Sequence, residues 1–221
     1  MLSIGSRFIT AGSVLAAVFL GSFDARATSM VPFTDEDLSH IADAIVVADV
    51  TTVTPEVRFA PSGERLAKQI TTKTTVTVVD SWKGGFAAGE IVTLREIGGV
   101  VEKEMVAVPG TAGFFKGERV LLFLHYRANT NEYGLVGWTQ GKFTLLKNAN
   151  GGWDVSKIHV DVPRWGTAFV AADHENRAVR GSDLASMATK VKRVVAADAQ
   201  ANVNWRDMPQ YRGISGKGIQ K

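Results

Sequence analysis

Apolar positions along the chain keep three rhythms, and each predicts a different element. The first is an unbroken, uncharged run from Phe8 to Phe23, which follows Arg7 and ends at Asp24-Ala25-Arg26-Ala27. It is short for a membrane span, which needs about 20 residues, and Ala25-x-Ala27 is the small-residue pattern of a signal-peptidase site. Residues 1–27 therefore read as a cleavable export signal, with Thr28 as the first mature residue. The second rhythm is the short period of strands, rich in Val, Ile and Thr. It predicts strands at 44–53, 69–80, 90–96, 119–126, 133–138 and 142–146, with edge strands at 153–155 and 158–162. Leu121-Leu122-Phe123-Leu124 is apolar at every position, so its strand should be buried on both faces. The third rhythm is helical. Leu184, Met187, Val191, Val194 and Val195 share one face of a helix over 182–199, started by Ser182. Thr34 caps a shorter helix that buries Leu38 and Ile41.

Punctuation between the runs sets the expected turns. Pro55 to Gly63 reads as a loop, Pro109 to Gly117 as a glycine-rich loop and Asn129–Asn131 as a turn. Residues 133–138 and 142–146 should pair with each other across Gln140-Gly141. Several short strands followed by a late helix describe a mainly β protein, a small closed barrel with a short N-terminal helix and an appended C-terminal one. Its core should include Ile45, Val47, Val76, Val78, Leu122, Leu124, Phe143 and Trp138. The expected organisation is a signal at 1–27, a barrel at 28–162, a helical extension at 163–200 and a disordered tail at 201–221.

Composition narrows the function. Loss of Arg7, Asp24 and Arg26 with the signal takes the formal charge from +3 to 23 − 21 = +2, nearly neutral, which disfavours a nucleic-acid partner. There is no cysteine, so disulfides, thiol catalysis and Cys-based zinc sites are excluded. No stretch after the signal is apolar enough to span a membrane.

Catalytic patterns are absent from the sequence. It holds neither Gly-x-Ser-x-Gly nor His-Glu-x-x-His. Gly110 to Gly117 lacks phosphate-loop spacing. The four histidines are His40, His125, His159 and His174, and no two stand four apart. His159 with Asp161 could share a strand face, and Asp173-His174-Glu175 are adjacent, but neither group makes a metal site alone. No catalytic residue and no cofactor is expected.

The order of short motifs carries a resemblance. Thr28-Ser29-Met30-Val31-Pro32 is followed by a helix and then by Ala42-Asp43-Ala44-Ile45-Val46-Val47. The Thr/Val strand closes in Ser81-Trp82-Lys83-Gly84. Lys116-Gly117-Glu118-Arg119-Val120-Leu121 and Gly137-Trp138-Thr139-Gln140-Gly141-Lys142-Phe143 come later. Over about Thr28–Leu146 this order resembles the N-terminal domain of the tissue inhibitors of metalloproteinases and the wider netrin-like group. The resemblance implies an OB-type barrel. It also implies a binding wedge of Thr28, Ser29, Met30, Val31 and Pro32, in which the α-amine and carbonyl of Thr28 chelate a partner protease's zinc and Ser29 enters its specificity pocket. The family's cysteines are missing, with Thr28 and Met30 standing where the wedge cysteines would be, so no disulfide fixes the wedge. Two functions stay open: inhibition of a secreted zinc metalloprotease, and a secreted or envelope module that binds a glycan or protein ligand without inhibiting anything.

Overall fold

The computed structural model describes residues 32–62, 65–157 and 179–208. The export signal, Thr28 to Val31, the strand expected at 158–162, His159, Asp161 and Asp173-His174-Glu175 lie outside those residues. The described chain is mainly β with two α-helices. Helix α1 (Asp35–Ile41) starts where Thr34 predicts it. Thr34 Oγ1 accepts the Asp37 N–H at 3.1 Å, and Asp37 returns a carboxylate oxygen to the Thr34 N–H at 2.9 Å. This reciprocal cap satisfies two donors that a helix start leaves free. Leu38 and Ile41 are buried as expected.

Ten strands follow: β1 (Ala44–Ser62), β2 (Arg65–Lys83), β3 (Ile91–Ile97), β4 (Gly99–Val101), β5 (Glu104–Val106), β6 (Arg119–Arg127), β7 (Glu132–Leu135), β8 (Lys142–Lys147), β9 (Trp153–Lys157) and β10 (Val179–Asp183). Eight of them form one sheet in the order β1-β2-β3-β7-β6-β8-β9-β10, and β1 also pairs with β6. The pairings β1-β2-β3-β7-β6-β1 thus close a five-strand circuit. Within it, β6 returns over the long connection from β3 to lie beside β1. That gives the spatial order fourth, first, second, third of a Greek key.

Two cores lie on opposite faces of the same strands. Val46, Ala48 and Val50 of β1 meet Val76 and Val78 of β2, Val92 and Leu94 of β3, Val120, Leu122 and Leu124 of β6, and Leu135 of β7. Their neighbours Ile45, Val47, Leu121 and Phe123 point the other way, against α1, β8, β9 and helix α2 (Leu184–Ala201). Alternation along a strand sends successive side chains to opposite faces. An all-apolar run is therefore what a strand shared by two cores needs. Every residue of the expected core is buried except Trp138, but Ile45, Val47 and Phe143 belong to one cluster and Val76, Val78, Leu122 and Leu124 to the other. Helix α2 docks through Met187, Val191 and Val194, with Leu184 and Val195 partly buried beside them.

Several expectations are corrected. Residues 55–62 are strand rather than loop, and β1 pairs with β2 in register as far as Ser62↔Arg65. Beyond Asp49 no β6 residue pairs with β1, so among the described residues Pro55 has no partner strand on that edge, where a missing N–H is tolerated. β7 and β8 do not pair with each other. Both lie along the edge of β6 that faces away from β1, β7 at residues 124–127 and β8 at residues 120–122. The α2 cap is Asp183, which accepts the Ser186 N–H at 3.0 Å, while Ser182 belongs to β10. The chain also stays packed beyond 201, since Trp205 is buried in the core beside α1.

Candidate functional site

Of the five residues expected to form the wedge, the structure describes Pro32, which is exposed. The residue after it is anchored. The Phe33 N–H donates to Gln140 Oε1 at 2.7 Å, and its ring packs against the cluster that holds α1 and α2. Gly137 makes room for that ring, because a Cβ there would stand 2.7 Å from Phe33 Cδ2. Gly137 also has φ +61°, in the left-handed region that disfavours other residues. Both the space and the backbone angle therefore require glycine at this position.

The partner of Phe33 is the short 3-10 turn Trp138–Gly141, the segment that carries the chain from β7 to β8 along the edge of β6. Trp138 is the correction here. It was expected in the core, yet it is 42% exposed and has φ +62°. A bulky residue in that region stores strain of about 1–3 kcal/mol, and such positions concentrate at ligand contacts. Two bonds hold it there. The Thr139 N–H donates to Gly110 O at 2.9 Å and the Gln140 N–H to Gly137 O at 3.1 Å. Gly137-Trp138-Thr139-Gln140-Gly141, two glycines framing a Trp with one residue between this segment and the end of a strand, is the sequence signal for this turn. Reading the Trp by its hydrophobicity alone hid it.

Gly110 belongs to the loop 107–118, which is fixed at several points. Phe114 inserts into the interior of the five-strand circuit. Gly117 N–H donates to Val50 O at 2.8 Å. Lys142 Nζ, on a side chain only 10% exposed, reaches Glu118 Oε1 at 2.8 Å and Gly113 O at 2.5 Å, and stands 4.7 Å from the Phe114 ring centroid. Burial pushes the Lys142 amine below its usual range, and the Glu118 carboxylate acts against that push. Loop, turn and Phe33 thus form one braced surface beside the exposed Pro32.

Among the described residues, no group of three or more His, Asp or Glu side chains could hold a metal. His40 Nδ1 lies 2.8 Å from Asp198 and links α1 to α2. His125 Nε2 accepts from Arg127 Nε at 3.2 Å. No helix of the described chain is long and apolar enough to cross a membrane. No family model, curated protein or solved structure matches the chain.

Proposed function

We propose that the chain is an exported, non-enzymatic binding protein on an OB-type barrel, similar to the tissue inhibitors of metalloproteinases, and that its mature N-terminus closes on the zinc of a secreted metalloprotease. The Greek-key order and the single interior shared by five strands support the barrel, since a five-stranded Greek-key barrel is the OB architecture. The Phe33 anchor carries the functional reading. A wedge without a disulfide must be ordered by other means, or binding costs more conformational entropy. The Phe33–Gln140 hydrogen bond and the fit of Phe33 against Gly137 supply a non-covalent pin directly after Pro32. The chelating group is then the α-amine of Thr28. Its unperturbed pKa of about 7.7–8.0 makes the neutral, metal-binding form accessible near neutral pH.

The test is a titration of secreted His-Glu-x-x-His zinc proteases with protein that begins at Thr28 and with protein carrying one extra residue ahead of it. Inhibition by the first and none by the second supports the wedge. Equal inhibition by both contradicts it. A non-inhibitory module for a glycan or protein is the second reading, favoured by the apolar residues on the β1–β2 hairpin and on the small β4–β5 hairpin. Phe59 is 66% exposed, Val100 53% and Met105 46%, and Val100 and Met105 are directly paired. Retention of a ligand that the N-terminal extension leaves unchanged would select that reading.

A further inference from the structure

One mouth of the five-strand circuit is walled by aromatic rings that the proposed function does not use. Phe86, from the turn between β2 and β3, meets Tyr133 of β7 with centroids 5.7 Å apart and planes at 71°. Tyr126 of β6 meets the same Tyr133 at 5.4 Å and 56°. Strand alternation explains the convergence. Leu122 and Leu124 of β6 and Leu135 of β7 face the interior, so Tyr126 and Tyr133, each two residues along, continue that face to its edge. Phe86 and Tyr133 pack against the interior cluster, while Tyr126 is 41% exposed. The three rings lead from the apolar interior out to water.

Carboxylates border the same mouth. Glu90 stands two residues before the interior-facing Val92, and its Oε2 accepts the Ala87 N–H at 3.0 Å. Asp43 accepts the Tyr126 N–H at 2.8 Å. Burial first, then the negative charges of Asp43 and Glu90 and the neighbouring Tyr126, hold the Tyr133 hydroxyl above its usual pKa. The basic side chains of β6 here, His125 and Arg127, alternate to the opposite face, where Arg127 Nη1 donates to Arg95 O at 2.9 Å. Steeply inclined aromatic walls attract a cation through their π faces, and a methylated ammonium also gains from apolar contact. We propose that the mouth formed by Phe86, Tyr133 and Tyr126 binds a quaternary ammonium group, with its methyls against the rings and its charge balanced by Asp43 and Glu90.

The experiment is a calorimetric titration of the mature protein with choline chloride at constant ionic strength. The neutral isostere 3,3-dimethylbutan-1-ol is the comparison. Saturable choline binding in the millimolar range is expected, with the isostere about tenfold weaker. Tyr126→Ala should weaken choline about tenfold, Tyr126→Phe should stay within about twofold, and Glu90→Gln should fall between them. Tyr126 is partly exposed, so both of its variants should fold. No saturation, equal affinity for the isostere, or an unchanged affinity in Tyr126→Ala would each overturn the proposal. Vesicles identify the source of the group. Retention on phosphatidylcholine but not phosphatidylglycerol vesicles assigns it to a lipid headgroup, and choline binding without retention assigns it to a small solute.

Discussion

Replacing Glu132 by Gln tests how the five-strand circuit stays closed. The β3–β7 junction has one backbone bridge, Leu94↔Tyr133, so side chains must carry the rest. Arg95 donates to both Glu132 oxygens, Nη2 to Oε1 at 2.7 Å and Nε to Oε2 at 2.8 Å, and Arg95 Nη1 also bonds Glu56 and Thr71. Glu96 accepts the Leu135 N–H at 2.9 Å. The Arg95 and Glu132 side chains are 10% and 14% exposed. Removing one partner of a buried pair costs about 3–5 kcal/mol, and of an exposed pair about 0–1. Arg95 keeps Glu56, so Glu132→Gln should cost about 2 kcal/mol. With a urea slope of about 2 kcal/mol/M, the denaturation midpoint should fall by about 1 M. Lys68→Gln is the control. It breaks a pair whose side chains are 46% and 59% exposed and should cost less than about 0.5 kcal/mol.

Acid adds a second readout. The Arg95 hydrogen bond holds the Glu132 carboxyl below its usual range. Its contribution is therefore complete above the unfolded value of about 4.3 and is lost as pH falls through the lower folded value. Glu96 acts with the opposite sign, because burial raises its carboxyl and its term weakens stability as pH rises above the unfolded value. Glu132→Gln should flatten the acid limb below about pH 4 and leave the Glu96 slope above it. A midpoint shift no larger than that of Lys68→Gln, with an unchanged acid limb, would refute the view that this pair closes the circuit.

Other substitutions separate the remaining parts of the account. Leu122→Ala and Phe123→Ala should each cost about 2–5 kcal/mol in chemical denaturation, although they are neighbours, because each residue fills a different core. Phe33→Ala should cost about 1–2 kcal/mol, since the ring is only partly buried, and should weaken protease inhibition about tenfold or more by freeing the segment after Pro32. Trp138→Gly should not lower the melting temperature, because glycine relieves the left-handed backbone and little packing is lost.

How much of this was legible depends on whether a feature is local. Thr34 followed by Asp37 is a local code, and its helix starts as read. The run Leu121 to Leu124 announced a doubly buried strand because a short all-apolar run within a Val-rich segment is too short for a buried helix and fits a strand covered on both faces. Pro55 misled because a proline breaks a strand only where its N–H is required, and whether that edge is free depends on where β6 stops pairing. The placement of β7 and β8 end to end along β6 is equally a tertiary fact. Trp138 was misplaced because hydrophobicity reports what burial would gain. It does not report the left-handed turn that Gly137, Gly110 and Phe33 impose. The export signal and the wedge were read from sequence alone, and Pro32 is the one wedge residue whose surroundings are described.

Cobalt substitution of the target protease's zinc would test the central claim most directly. Cobalt(II) reports its ligands in the visible spectrum, and the claim is that an amine of this protein becomes one of them. Protein beginning at Thr28 should change the spectrum of the cobalt enzyme at one-to-one stoichiometry, and the same protein acetylated at that amine should leave it unaltered. Inhibition with no spectral change, or an identical change from the acetylated protein, would contradict the wedge.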